Sequence, residues 1–354
     1  MQKLFQIEEI WTRYAAGAKG EAAELLDKLF TEAPEHKQVL MTKAVFAAIE
    51  GDINKCRLLQ RRAIAEQVVD EANTMADCDR ESEAKNLAMV ALRFDENNRR
   101  ASNLLASRNK TTIVFDSAVA ALGYPSPIRC DTANGVFFLP ADAPDDLVAM
   151  RLKAGVLYQP EIIDVCRTFF RPNTTIVDLG ANLGAMSLPF SRIAGEGGKV
   201  VSIEASPYIH RLLELTLEAN NIHNVELLNL AVFDKSGVEL VYPRPNLETH
   251  ATYGSYGIDP SAPEGFKIKG VALDDLEFTT PVSFIKVDVQ GADLSAMKGA
   301  MNLIARDRPA IVFEYEDDLS LKFGYSSNDY RSFIEEIGYK IERQFYSDYL
   351  ILPH

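Results

Sequence analysis

Cysteine, histidine and long apolar runs are scarce in this chain, and each scarcity removes a class of function. Four cysteines (Cys56, Cys78, Cys130, Cys166) are scattered with no C-x-x-C pair. Neither a disulfide framework nor a thiolate zinc site is expected from them. Five histidines (His36, His210, His223, His250, His354) show no H-x-x-x-H spacing, so no metal site is read. The longest apolar runs, around Ile176 and Ile311, are strand-sized, against the ~20 residues that a membrane-spanning helix needs. The opening segment MQKLFQIEEIWTRY has no basic leader before an apolar core and no small-residue cleavage site. No signal peptide is expected, and a cytoplasmic location is. A basic excess is also missing. The net charge of −14 argues against a non-specific nucleic-acid surface, which needs clustered Lys and Arg.

What remains is an ordinary soluble composition, 47% hydrophobic and 25% charged, in 354 residues. Single cores seldom exceed roughly 250 residues, so two domains are expected. Residues 1–110 are helical in pattern and contain one proline, Pro34. Gly17, Ala22, Leu26, Leu29 and Pro34 are spaced as in a tetratricopeptide hairpin. Gly51, Cys56, Gln60 and Ala63 repeat that frame 34 residues later, the period of such repeats. A plain helical bundle is the other reading. Either way, each amphipathic hairpin must bury its apolar face on a neighbour.

The character changes near residue 110, and residues 111–354 read as a second domain. TTIVFDSAVAALG, the turns at Pro125 and Pro127, and Val136–Leu139 suggest strands and turns. Beyond residue 155, strands and helices alternate: TTIVDLG, KVVSIEA, VELLNLAV, SFIKVDV and AIVFEY are each followed by helical or looser sequence. YKIER and YLILPH look like a closing antiparallel pair. The pattern implies an α/β domain with a doubly wound, mainly parallel sheet behind an all-α domain. Ligands of such sheets bind beyond the carboxyl ends of the strands.

The informative residues fall there. In Val177-Asp178-Leu179-Gly180-Ala181-Asn182-Leu183-Gly184 a strand ends in an acid, a glycine turns, and a second glycine opens a helix. Glu204 ends the next strand, 24 residues after Gly180, where an acid can accept both hydroxyls of a ribose. A nicotinamide dinucleotide would call for G-x-G-x-x-G and no acid beside its pyrophosphate. The spacing here is Gly-x-x-x-Gly, and Asp178 would repel a phosphate. S-adenosylmethionine has no phosphate but carries an ammonium and a sulfonium, which suit that acid. The bland reading, a tight turn beside ordinary strand-end acids, fits any one of these residues better than the ordered set.

Six blocks in order resemble the FkbM family of methyltransferases across about residues 112–350: GVLYQPE (155–161), VDLGANLGAMSL, IEASP, AVFDKSG, VALDDL and FIKVDVQGADLSAMKGA. The resemblance implies an S-adenosylmethionine-dependent O-methyltransferase acting on a hydroxyl of a sugar, glycan or related metabolite. It implies nothing about the helical region, for which a protein partner is the expectation. The family usually has Glu where this chain has Gln290. That departure keeps a second reading open, a degenerate cofactor binder whose helices serve protein interaction.

Roles follow for individual residues. Asp178, Gly180, Asn182 and Gly184 are expected around the methionine part of the cofactor. Glu204 is expected on the ribose, Ala205 and Ser206 beside the adenine, and Ala231 and Val232, ending the third strand, against the base. Tyr158 either covers the cofactor or simply packs. Asp288 is the candidate base or metal-binding acid, with Lys286 two residues earlier on the same strand face to keep it ionised. A structural ion pair is the alternative for these two. Glu314 is a second candidate acid. Acceptor selection is expected in the irregular region 243–268, with His250, Tyr253 and Tyr256 as a sugar platform and Ser255 as a hydrogen-bonding group.

Overall fold

The structure is a computed structural model that describes residues 2–50, 52–77, 81–95, 97–106, 110–247 and 252–354. Gly51, Cys78 and His250 lie outside the described residues. Two compact units divide the chain, Met1–Arg108 and Asn109–His354.

Among the described residues the first unit has six helices: α1 (Gln2–Ala15), α2 (Lys19–Glu32), α3 (Lys37–Ile49), α4 (Ile53–Asp77), α5 (Glu81–Phe94) and α6 (Arg99–Ala106). Helix α2 begins at residue 19 and α4 at residue 53, 34 residues later. Ala22, Leu26 and Leu29 are buried on α2, where they meet Ile7 and Ile10 of α1 and Val39 and Phe46 of α3. On α4 the frame holds only in part. Cys56 and Ala63 are buried, while Gln60 is exposed and Leu59 fills the core in its place.

Among its described residues the second unit has thirteen strands: β1 (Lys110–Ile113), β2 (Ile128–Thr132), β3 (Gly135–Leu139), β4 (Thr175–Leu179), β5 (Lys199–Ile203), β6 (Val225–Leu228), β7 (Ala231–Val232), β8 (Glu239–Tyr242), β9 (Phe266–Val271), β10 (Val282–Val287), β11 (Ala310–Glu314), β12 (Tyr339–Phe345) and β13 (Asp348–Pro353). Seven of them form the central sheet in the order β12-β13-β11-β10-β4-β5-β6. Its five strands from β11 to β6 run parallel, and β13 and β12 close the edge antiparallel. The chain winds one way through β4, β5 and β6 and the other way through β10 and β11. The strand order therefore reverses between β4 and β10, which sets a ligand crevice at their carboxyl ends.

Side-chain alternation along these strands makes two cores. One face carries Val177, Leu179, Val201, Ile203, Ile285, Val287, Ile311 and Phe313. The other carries Ile176, Val200, Phe284 and Val312 against the helix Pro160–Phe169 and Phe190. Two residues further along each strand, that second face becomes polar: Asp178, Ser202, Lys286 and Glu314. Asp178 is in register with Lys286 on one side and with Ser202 on the other. Hence the apolar face ends in a row of charged and hydroxyl groups at the crevice.

The segment VELLNLAV reads as one strand but divides in two. Strand β6 stops at Leu228, and β7 leaves the central sheet to pair with β9 in a separate sheet of order β7-β9-β8. Asn229 marks the break, its Nδ2 donating to the carbonyls of Glu204 (2.8 Å) and Ala205 (3.1 Å). SAVAA, within a stretch expected to be strands and turns, is helical over Ser117–Ala121, capped by Asp116, whose Oδ1 accepts the N–H of Val119 at 2.9 Å. Among the described residues, no helix is long and apolar enough to cross a membrane.

Candidate active site

The turn after β4 is shaped by what surrounds it. Gly180 has φ +75, and a Cβ there would lie 1.8 Å from the carbonyl oxygen of Asp288. Only glycine lets the two strand ends approach so closely. Gly184 has φ +83 and faces Leu213 of the helix Pro207–Ala219, where a Cβ would meet Leu213 Cδ1 at 2.6 Å. It joins the loop to that helix rather than lining a cleft.

Two clefts open at the strand ends. The first is open to solvent, with about 600 Å³ of empty space. Ile203, Ile209, Leu230, Ala231, Val232 and Ile258 give it apolar walls, with Glu204 and Ala205 at one side. The second is larger, about 1180 Å³, and more charged: Lys286, Glu314, Glu316 and Lys322 line it, with Tyr158, Met186 and Ser255. The two share Gly180, Asn182, Gly254, Asp288 and Gln290. They are one crevice with an apolar arm and a polar arm.

Glu204 anchors the apolar arm. Its Oε2 accepts the N–H of Asn182 at 2.9 Å and its Oε1 the N–H of Ser206 at 2.8 Å. Each oxygen keeps a lone pair for a further donor. Burial pushes this carboxyl up to about 7, against the pull of the two N–H donors. Asn182 Oδ1 is buried and has no hydrogen-bond partner. A ligand with donor groups, such as a pair of ribose hydroxyls and an ammonium, fits this donor-poor, acceptor-rich lining. A phosphate does not.

Asp178 is fully buried and lines neither cleft. Its Oδ2 accepts the hydroxyl of Ser187 at 2.6 Å, Ser202 donates in turn to Ser187 at 3.0 Å, and its Oδ1 has no partner. Burial raises its pKa, with the charge of Lys286 opposing. It braces the loop from beneath. Ser206 also lines neither cleft. Its hydroxyl caps the helix Pro207–Ala219 by accepting the N–H of Ile209 at 3.4 Å.

At the junction of the arms, Lys286 Nζ lies 2.9 Å from Asp288 Oδ2, and Gln290 Nε2 lies 2.9 Å from Asp288 Oδ1. Burial would raise Asp288, but the Lys286 charge and these hydrogen bonds outweigh it and hold the carboxyl below its ordinary range. For Lys286, burial would lower the pKa, yet the carboxylates of Asp288 and Asp178 raise it. Glu314 is pushed up to about 10 by burial and then by the charges of Asp288, Asp293 and Asp348. The two neighbouring carboxyls are thus pushed in opposite directions, Asp288 down and Glu314 up.

Tyr158 lines the polar arm and also packs on the core. Tyr253 borders the apolar arm, with its ring buried against Tyr124 and Tyr208 and its hydroxyl donating to Asp142 at 2.9 Å. The Tyr256 hydroxyl is tied to the carbonyl of Asn246 at 2.6 Å. Two features had no signal in the sequence: the apolar contribution of Tyr242 and Ile258, and Asp146, which fastens the 252–253 loop by accepting from Thr252 Oγ1 (2.9 Å) and the N–H of Tyr253 (2.8 Å). Among the described residues, no group of three or more His, Cys, Asp and Glu is arranged to hold a metal ion.

Residues 178–341 match the family model described as the methyltransferase FkbM domain. No curated protein sequence matches the chain. Among solved structures, it is similar to methyltransferase FkbM from Methylobacillus flagellatus KT, at 15% identity and a TM-score of 0.34, over 72% of this chain and 58% of that one. A SAM-dependent methyltransferase from Aquifex aeolicus is 17% identical with a TM-score of 0.32, over 60% of this chain and 94% of that one. Precorrin-6y C5,15-methyltransferase from Geobacter metallireducens GS-15 is 16% identical with a TM-score of 0.33, over 55% and 89% respectively. At such TM-scores the likenesses bear on neither substrate nor mechanism.

Proposed function

We propose that this protein is an S-adenosylmethionine-dependent O-methyltransferase whose acceptor is a hydroxyl of a sugar, glycan or related metabolite, a reading supported by the match of residues 178–341 to the methyltransferase FkbM domain. The observation that carries this reading is Asp288, placed where the apolar and polar arms of the crevice meet, with Lys286 beside it to favour its charged form.

S-adenosylmethionine, when bound, supplies a methyl group made electrophilic by its sulfonium. The chain's own residues have three tasks. Glu204 accepts the ribose hydroxyls, and Ala205, Ala231 and Val232 flank the base in the apolar arm. Gly180 and Asn182 border the amino-acid portion, with Asn182 Oδ1 offering the acceptor that an ammonium needs. Asp288 then takes the proton of a hydroxyl in the polar arm. A positioned base of this kind contributes about 10²–10⁴-fold, and alignment of the acceptor oxygen supplies much of the remaining acceleration. Lys286 favours the ionised form of Asp288 through its Nζ–Oδ2 contact. Neutral polyhydroxyl acceptors suit the polar arm because its carboxyl, amide and ammonium groups can pair with hydroxyls as either donors or acceptors.

The test is to incubate the purified full-length protein with methyl-labelled S-adenosylmethionine and fractionated cell extract. Label entering carbohydrate or hydroxylated small molecules as a base-stable ether supports the proposal. Label confined to protein, or transferred to nitrogen or carbon, overturns it.

A further inference from the structure

The turn that follows β10 places a long polar side chain where glycine would be the default residue. Gln290 has φ +55, in the left-handed region that L residues other than Asn and Asp rarely enter. Its backbone gains nothing there that glycine would not give at lower strain. The side chain, by contrast, is engaged through its amide nitrogen. One amide nitrogen spans two carboxyl groups, with Nε2 at 2.9 Å from Asp288 Oδ1 and 3.0 Å from Glu314 Oε2. An NH₂ group has two hydrogens, one for each acid. Glu314 is held from its other side, where Ser347 donates to Oε1 at 3.2 Å.

We propose that Gln290 is a positioning residue: it bridges Asp288 and Glu314 and makes them an unsymmetrical pair, in which Glu314 keeps a proton and Asp288 stays free to take the proton of the acceptor. This inference rests on the reading of Asp288 as the base. It also assigns a purpose to a residue whose lack of charge would otherwise count against activity. Two carboxyl groups in one buried site cannot both ionise cheaply. Which one yields is set by what faces them. Lys286 from β10 touches Asp288 alone. Asp293 on the helix Asp293–Lys298 and Asp348 on β13 act on Glu314 to favour its neutral form, and Asp178 on β4 and Glu204 after β5 are further buried acids near Asp288. In that field a carboxylate at position 290 would be a third acid in contact with both. A neutral donor there stabilises Asp288 without adding charge.

The test is a ¹³C-carboxyl NMR titration of the full-length protein labelled at Asp and Glu, with the two resonances assigned through Asp288→Asn and Glu314→Gln. In the native protein Asp288 should be ionised across the neutral range while Glu314 titrates well above it. Gln290→Glu should move the Asp288 titration upward by at least about one pH unit, and Gln290→Met, which removes the donor and adds no charge, should move it in the same direction by less. Glu314 titrating in the ordinary carboxylate range, or Asp288 unmoved in both folded variants, overturns the proposal. The experiment needs no acceptor. Its failure would leave the methyl-transfer reading to be judged by label transfer, and failure of label transfer would leave this result standing as electrostatics alone.

Discussion

Lys286 and Asp288 stand two residues apart on one side of the β10 end, with Nζ and Oδ2 at 2.9 Å and the lysine side chain only 4% exposed. A buried ammonium so placed is costly unless it is paired. Its partner, however, is the one acid of the pair that both arms of the crevice can reach. The contact thus explains how an acid at a buried strand tip stays ionised, and it ties the electrostatics of the sheet to the chemistry proposed for the site.

Asp288→Asn should therefore separate chemistry from binding. The change keeps the shape and the bond to Gln290 while removing the base. Single-turnover methyl transfer should slow by about 10²–10⁴-fold, while titration calorimetry with S-adenosylhomocysteine should show affinity within a few-fold of native. A variant that turns over at the native rate would reduce the Lys286–Asp288 contact to a structural ion pair.

Gly180→Ala should damage the fold before it damages chemistry. The added carbon would lie 1.8 Å from the Asp288 carbonyl oxygen, at a backbone angle that L residues avoid. Strain of this kind costs roughly 1–3 kcal/mol, and relief of the collision adds to it. Thermal unfolding should fall by about 2–4 °C for each kcal/mol in a unit of this size. An unchanged melting temperature would mean the two strand ends are further apart than described.

Much of this arrangement was legible in the sequence, for physical reasons that differ by residue. Alternating strands and helices fix a parallel sheet, and a parallel sheet fixes where ligands bind, so Glu204 and Asp288 could be placed at the crevice from spacing alone. Asp178 and Ser206 could not be placed as finely. One residue along or across a strand decides between lining a cleft and bracing it, and Asp178 turns toward Ser187 while Ser206 caps a helix. The division of 225–232 into two sheets was hidden because VELLNLAV is uniformly strand-like. The break comes from a long-range bond of Asn229 to the Glu204 carbonyl. Tyr253 lies deeper than its loop suggests: a segment rich in Gly, Ser and Tyr suggests an open platform, yet the ring packs edge-on against Tyr208.

Stability should fall as pH rises toward neutrality, through acids that prefer to be protonated when buried. Asp348 is pushed up to about 7 by burial and by the nearby charge of Asp288, from about 3.9 when unfolded. A carboxyl raised in the folded state contributes stability that is complete below the unfolded value and is lost as pH passes through the folded one. Between pH 5 and pH 8 the native melting temperature should drop, and Asp348→Asn should reduce that drop by a few °C, at about 2–4 °C per kcal/mol. Asparagine keeps an oxygen for the bond from Gln159, which spans 3.0 Å. An identical pH slope in the variant would remove Asp348 from the account.

The most direct test is calorimetric titration of S-adenosylhomocysteine into native protein and into Glu204→Ala. Native protein should bind one equivalent, and the variant should bind more weakly by about 1–3 kcal/mol, roughly 5- to 150-fold, because the ribose hydroxyls lose their shared acceptor. Native protein that takes up no ligand, or a folded variant that binds as tightly as native, would contradict the placement of the cofactor at these strand tips.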